Sequence, residues 1–166
     1  MSQHSAARPA SEPVSIVLRS YAPSDFNNLY VIDQACYEPR IAYSRTELRQ
    51  YLRFPGADCV VAEAWRDHSA PEVIGFCITA HKDRSGYIIT MDVLPEFRRR
   101  GCGSMLLVEA EARLTAAGVR EIGLETATDN SVAIAFWQKH GYRKSGVRKN
   151  YYPGGRAAYS MAKRLP

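Results

Sequence analysis

Three consecutive arginines stand next to two glycines and a serine in the segment RRRGCGS, residues 98–104. Guanidinium groups bind anions, and glycines let the backbone approach a bulky ligand because they carry no Cβ. The apolar residues that follow are typical of a helix, whose first amides lack intrahelical partners and lie at the positive end of its dipole. The segment therefore predicts a cradle for a phosphate or pyrophosphate group. A solvated basic loop is the alternative.

Two common phosphate-binding motifs are absent from this segment. A Walker loop needs Gly-Lys followed by Ser or Thr, which the sequence does not contain. A dinucleotide fingerprint needs a third glycine, but position 106 is Leu. Any phosphate site here is consequently of another kind.

The elements that would position this segment are predicted from hydrophobic periodicity and from turn and capping signals. Strands are expected over residues 14–20, 58–65, 72–80, 86–94, 121–126, 142–152 and 157–165. Helices are expected over residues 25–35, 45–53 and 131–140, and from the glycine loop to Gly118. Ser44 followed by Glu47 is a capping-box pattern at the start of the second helix. The order β-α-α-β-β-β-α-β-α-β-β indicates an α/β (mixed α+β) fold with one mixed sheet and flanking helices.

Length and composition predict one globular domain over residues 14–166, preceded by a disordered tail over residues 1–13. The net charge of +5 is compatible with nucleic acid, an acidic membrane or an anionic ligand, and does not choose among them. No apolar run reaches the roughly 18 residues of a membrane span. Neither the four cysteines nor the four scattered histidines have ligand spacing, so we expect free thiols, solvated histidines, no metal site and a reducing cytoplasm.

Residues 98–103, Arg-Arg-Arg-Gly-Cys-Gly, resemble the R/Q-x-x-G-x-G/A signature of the general N-acetyltransferase (GNAT) superfamily. The setting agrees, because the signature follows the strand ending MDVLP and opens a helix. The run LETATDNSVAIAFWQKHGYRKSGVRKNYYPGG, residues 124–155, resembles the corresponding run of protein N-terminal acetyltransferases, especially those of the bacterial ribosomal-protein-alanine type. The resemblance covers residues 14–165 and is strongest from residue 86 onward.

The resemblance implies a sheet of about seven strands, splayed between the fourth and fifth, with about four helices. Acetyl-CoA would lie in the splay, as the acetyl donor. The residues implied to hold it are Met91, Asp92, Val93, Arg98, Arg99, Arg100, Gly101, Cys102, Gly103, Ser104 and Asn130. Among these, the Val93 amide would donate to the acetyl oxygen, and Asn130 is either a cofactor contact or a helix N-cap.

Glu125 matches the glutamate that serves as general base in bacterial relatives; a solvated carboxylate or an arginine pair is the alternative. Tyr87 matches a tyrosine that positions a base water in some relatives, and is otherwise an ordinary strand aromatic. Where the family usually has a tyrosine as general acid, this sequence has Trp137, whose indole N–H does not release a proton near neutral pH. Water, Tyr151 or Tyr152 would then assist the departing thiolate, or catalysis is weakened.

Tyr151 and Tyr152 match the aromatic pair at the peptide entrance of N-terminal acetyltransferases, and Tyr37 and Glu38 lie where the opposite side of that entrance is formed. The resulting hypothesis is an acetyl-CoA-dependent transferase acting on a protein N-terminal amine, as a monomer or homodimer without nucleic-acid or membrane partners. The alternatives are acetylation of a small amine or a lysine side chain, and a non-catalytic acyl-CoA binding module.

Overall fold

The structure is a computed structural model that describes residues 13–166, so all but the last residue of the expected tail 1–13 lies outside the described residues. The seven strands are β1 (Ser15–Ser20), β2 (Ala57–Trp65), β3 (Glu72–Lys82), β4 (Ser85–Val93), β5 (Glu121–Ala127), β6 (Arg143–Tyr152) and β7 (Arg156–Arg164). The four helices are α1 (Phe26–Cys36), α2 (Arg45–Leu52), α3 (Cys102–Ala116) and α4 (Ser131–Lys139). This is the predicted order of elements.

The strands form one sheet in the order β1-β2-β3-β4-β5-β7-β6, in which every neighbouring pair is antiparallel except β4 and β5. The parallel pairing of β4 with β5 covers only residues 85–87 against residues 121–123. Beyond these residues β4 runs on to Val93 and β5 to Ala127 without pairing to each other. The sheet therefore opens into a cleft between its fourth and fifth strands, which confirms the predicted splayed fold.

Helix α2 begins where its sequence signal places it. The Glu47 amide donates to Ser44 Oγ at 3.2 Å, and the Ser44 amide donates to Glu47 Oε2 at 2.8 Å. This reciprocal pair satisfies two amides that a helix start leaves without partners, and it confirms the predicted capping box.

The sheet buries an apolar layer on each of its two faces, because successive strand residues point to opposite sides. On one face, α3 and α4 cover a core that includes Leu106, Leu107, Ile122 and Tyr142. On the other face, α1 and α2 cover a second core. All four cysteines are free thiols, and all except Cys36 are buried.

No helix within residues 13–166 combines the length and the apolar character needed to cross a membrane.

Candidate active site

The open edge of β4 presents backbone groups to the cleft. The Leu94 amide donates to the Ile74 oxygen at 2.9 Å, so residues 94 and 92 face β3 in the antiparallel ladder. Backbone groups alternate in direction along a strand, and Met91 and Val93 therefore point theirs toward the open edge. The oxygen of Val93 already accepts a hydrogen bond from Arg98 Nε at 2.9 Å, which leaves its N–H as a donor into the cleft.

The glycine loop turns sharply between β4 and α3. Arg99 has a φ of 60° and Gly101 a φ of 81°, both in the left-handed region. Helix α3 starts at Cys102 directly after Gly101, and a Cβ built on Gly101 would meet no atom within 4 Å. The positive end of this 15-residue helix is thus preceded by a glycine whose outer side is open, and the first amides of the helix lack intrahelical partners. This geometry fits a pyrophosphate group, as the sequence predicts.

The three arginines of the loop are exposed and have different neighbours. Arg98 is bound to the Val93 oxygen, so it links the loop to the end of β4. Arg100 lies over the ring of Phe97 at 5.7 Å.

Cys102 turns its thiol into the core, where burial raises its pKa to about 11, so any cofactor contact by this residue is made by its amide.

Ser104 and His140 form a contact that the sequence did not indicate. Ser104 Oγ and His140 Nε2 are 2.9 Å apart, and the His140 ring lies 4.5 Å from that of Phe136. Burial lowers the pKa of His140. The expectation of a solvated histidine is therefore wrong for this residue, because α4 brings its last turn against the first turn of α3.

Glu125 and Tyr87 meet where the cleft begins to open. Tyr87 pairs with Gly123 at the last parallel position, and Glu125 is two residues further along β5, on the same face of the strand. The Tyr87 hydroxyl donates to Glu125 Oε2. The other carboxylate oxygen accepts from Ser160 Oγ at 3.3 Å and lies 3.4 Å from Arg148 Nε.

The surroundings of Glu125 include features of both sequence interpretations. The carboxylate has an arginine neighbour, and it also contacts Tyr87, the predicted catalytic tyrosine. The Glu125 side chain is only 7% exposed, whereas that of Arg148 is 60% exposed. A largely solvated guanidinium is a weak partner. The contact with Arg148 is therefore weak, and the carboxylate also accepts the hydrogen bond of the Tyr87 hydroxyl from the other wall of the cleft.

Tyr151 and Tyr152 contact each other although they are neighbours on a strand. Their rings are 4.9 Å apart in an edge-to-face arrangement. Adjacent residues of a regular strand point to opposite faces, but Asn150 has a φ of 53° and the register with β7 shifts between Arg148 and Tyr152. The bulge brings both rings together at the end of the β6–β7 hairpin. Burial raises the pKa of both phenols, and the negative charge of Glu125 raises it further.

The loop between α1 and α2 lies across the cleft from this hairpin. Glu38 is exposed, and its carboxylate is 3.8 Å from Arg156 Nη1 at the start of β7. Burial, and then the charge of Asp92, raises the pKa of Tyr37 well above its usual value, so this phenol faces β4 rather than open solvent. Tyr43, also in this loop, was not singled out from the sequence. Burial raises the pKa of its phenol, and its neighbours Tyr51 and Tyr151 raise it further.

Trp137 lies in the core next to the cleft. Its ring is 5.1 Å from that of Phe136 and 5.4 Å from that of Tyr142, both nearly edge to face. Trp137 fills this position with a large, buried aromatic ring, and its indole N–H cannot serve as an acid near neutral pH.

The sequence profile of the Acetyltransferase (GNAT) family matches residues 26–142. The chain belongs to this family. A curated GNAT relative, the [Ribosomal protein bS18]-alanine N-acetyltransferase of Salmonella typhimurium, is 36% identical over 78 residues, which are 47% of this chain and 53% of the relative. The chain spans about half the length of the curated relatives it matches.

Solved GNAT structures share the fold at lower identity. The ribosomal-protein-S18-alanine N-acetyltransferase from Escherichia coli has a TM-score of 0.79 at 23% identity, covering 91% of this chain and 94% of that one. Arabidopsis thaliana NAA60, solved in complex with acetyl-CoA, has a TM-score of 0.76 at 20% identity, covering 91% and 99%. GNAT acetyltransferases use acetyl-CoA, and the glycine loop and the open edge of β4 fit this cofactor.

Asn130 caps α4, with its side-chain oxygen accepting from the Ala133 amide at 3.1 Å. We expect Asn130→Ala to lower the free energy of unfolding by about 0.5–2 kcal/mol, and Asn130→Ser to restore it, because serine caps equally well. Denaturant unfolding of the two variants measures this. Equal destabilisation in both would contradict the capping role. Weaker acetyl-CoA binding by a fully stable Asn130→Ser variant would assign the lost amide group to the cofactor.

Proposed function

We propose that this GNAT domain transfers the acetyl group of acetyl-CoA to the N-terminal α-amine of a protein. The observation that carries the proposal is the pair of contacting rings, Tyr151 and Tyr152, at the end of the cleft that holds Glu125. Flat aromatic faces hold an extended backbone with little loss of conformational freedom. The Arg156–Glu38 contact links the α1–α2 loop to the start of β7, beside the same hairpin.

The bound cofactor would supply an activated thioester for direct attack by an amine. The attacking amine must be neutral, and a free α-amine has a pKa near 8. Glu125 would accept the excess proton, through Tyr87 or a water molecule that Tyr87 orients. Glu125 and Tyr87 both lie on the walls of the cleft, so the proton would be taken from the amine inside the cleft.

Backbone donors would hold the other reacting parts. The Val93 N–H at the open edge of β4 is placed to donate to the acetyl oxygen, where negative charge develops during the attack. The amides of residues 102–104 at the start of α3 would hold the pyrophosphate. Trp137 leaves no phenol at the usual acid position, so the thiolate would take its proton from water or from Tyr151 or Tyr152.

A thiol-release assay with acetyl-CoA and a panel of acceptors tests the proposal. The panel contains peptides that differ in their first residues, the same peptides with a blocked N-terminus and an internal lysine, and a set of small amines. We expect turnover of the free N-terminal peptides only. Turnover of small amines alone, or of blocked peptides alone, would replace the proposed acceptor by a metabolite or by a lysine side chain.

A variant at the entrance tests the role of the aromatic pair. We expect Tyr151→Ala to raise the KM for the peptide about tenfold with little change in kcat, because a lost aromatic anchor costs on the order of 1–2 kcal/mol. Val147→Ala, at an exposed position of the same strand, is the matched control and should leave both constants unchanged. A peptide KM that is unaffected in Tyr151→Ala would remove this ring from the binding surface.

A further inference from the structure

Two carboxyl groups lie buried between α1 and β4, beneath the α1–α2 loop. Asp33 of α1 is 0% exposed and Asp92 of β4 is 1% exposed. Within residues 13–166 neither of them forms an ion pair with Lys, Arg or His. Burying a carboxylate without a cation is costly, and a buried carboxyl group normally avoids this cost by keeping its proton.

The hydrogen bonds of the two groups leave one oxygen on each without a donor. Asp33 Oδ2 accepts from the Tyr43 amide at 2.8 Å and from Gln34 Nε2 at 3.3 Å. Asp92 Oδ1 accepts from Thr90 Oγ1 at 2.7 Å. Asp33 Oδ1 and Asp92 Oδ2 are buried and form no hydrogen bond with any residue of the described range, 13–166. The two carboxyl groups lie next to each other, with the Tyr37 hydroxyl beside Asp92, and one proton between the carboxyl groups would satisfy both free oxygens.

We propose that Asp33 and Asp92 share a single proton, and that this pair is a positioning device that holds the α1–α2 loop against the cofactor strand β4. The Tyr43 amide is bound to Asp33, and the Tyr43 hydroxyl donates to the Ile89 oxygen on β4 at 3.4 Å. Cys36 Sγ donates to the Val93 oxygen at 3.4 Å, at the residue whose amide faces the cleft. The pair thus lies at the centre of the contacts between loop and strand.

Other titratable groups surround the pair on every element packed against it. They are Cys36 of α1, Tyr37 and Tyr43 of the loop, Glu47 of α2, Cys59 of β2, Cys77 of β3 and Arg98 after β4. Burial raises the pKa of each of these cysteines and of both tyrosines, so they stay neutral near pH 7. The pKa of Glu47 is lowered by the capping bonds of Ser44. Between pH 5 and pH 8 the pair itself is the group in this cluster that changes charge.

The direction of the pH effect follows from the difference between the closed and the open loop. Burial raises the pKa of both aspartates in the closed form, whereas an aspartate released to water has a pKa near 3.9. The closed form therefore holds a proton that the open form loses above this value. The equilibrium constant for closing the loop therefore falls about tenfold for each pH unit as the pH rises toward the raised pKa. Above that pKa the constant no longer changes with pH.

Amide hydrogen exchange of the whole chain between pH 5 and pH 8, corrected for intrinsic rates, tests the shared proton. In the wild type we expect the opening constant of the Tyr43 amide to rise about tenfold per pH unit and then level off. Asp92→Asn should remove this slope, because the introduced amide donates to Asp33 Oδ1 and its oxygen accepts from Thr90. Asp33→Asn, which mimics the same protonation state, provides a second variant if the first does not fold.

Asp67→Asn, an exposed change in the turn between β2 and β3, is the control and should keep the wild-type slope. A wild-type opening constant that does not change with pH, or the same slope in Asp92→Asn, would overturn the shared proton. The positioning role also predicts that the wild-type peptide KM rises with pH relative to that of Asp92→Asn; parallel KM profiles would overturn it. The KM test rests on the proposed peptide acceptor, whereas the exchange test does not, so the two can fail separately.

Discussion

Replacing Glu125 by glutamine is expected to lower kcat by about 10²- to 10⁴-fold, the usual contribution of a positioned general base. Glutamine keeps the size of the side chain and an oxygen that accepts from Tyr87, but it cannot take up a proton. Glu125 contacts β4 at Tyr87, near the start of that strand, whereas the residues that would hold the cofactor are at its end and in the glycine loop, so acetyl-CoA affinity should remain close to the wild-type value. Steady-state kinetics and calorimetric titration with acetyl-CoA measure the two quantities.

Glu121→Gln is the matched control, because it makes the same chemical change four residues earlier on the same strand, at an exposed position. It should leave kcat unchanged. An unchanged kcat in Glu125→Gln would show that Glu125 is not the base, and Tyr87 would be the next residue to replace. A loss of acetyl-CoA binding in Glu125→Gln would instead indicate a structural role for the contacts with Arg148 and Ser160.

Gly75→Ala is expected to lower both the stability of the protein and its affinity for acetyl-CoA. A Cβ at this position of β3 would lie 2.7 Å from the backbone oxygen of Asp92 and 3.2 Å from Val93 Cγ2. The backbone of β4 must then move at the residues that face the cleft. We expect a loss of about 1–3 kcal/mol in the free energy of unfolding, as in other overpacked cores, and an acetyl-CoA Kd raised about tenfold.

Gly123→Ala makes the same change on the other wall of the cleft. Its Cβ would lie 3.6 Å from the Met161 oxygen, an ordinary contact, and alanine in a strand interior is no less stable than glycine. Stability and affinity should therefore stay near wild type. Urea unfolding and titration with acetyl-CoA compare the two variants, and similar values for both would refute the close approach of β3 to β4 as the cause.

The sequence predicted the fold in detail because its local signals agree. Periodicity, the Ser44 capping box and the glycine loop each indicate the element that the structure contains. The resemblance indicated Tyr87 and Glu125 separately, but their contact was not predicted, since the two residues are 38 positions apart and meet through a parallel pairing that no local pattern encodes.

Two contacts depend on tertiary structure and were not predicted from the sequence. The contact between Tyr151 and Tyr152 requires the left-handed conformation of Asn150, whereas a regular strand would have separated the rings. The pairing of Asp33 with Asp92 requires α1 to lie against β4. Its one trace in the sequence is that Asp33 falls on the face of α1 that also carries Phe26 and Leu29, where an apolar residue would be usual.

The parallel pairing of β4 with β5 over only three residues makes the sheet two half-sheets joined at a narrow seam. One half consists of β1 to β4 and the other of β5 to β7, with the cleft as the gap between them. A ligand that contacts both walls would act as a missing strand and couple the melting of the two halves. The cooperativity of unfolding would then depend on the substrate as well as on the chain.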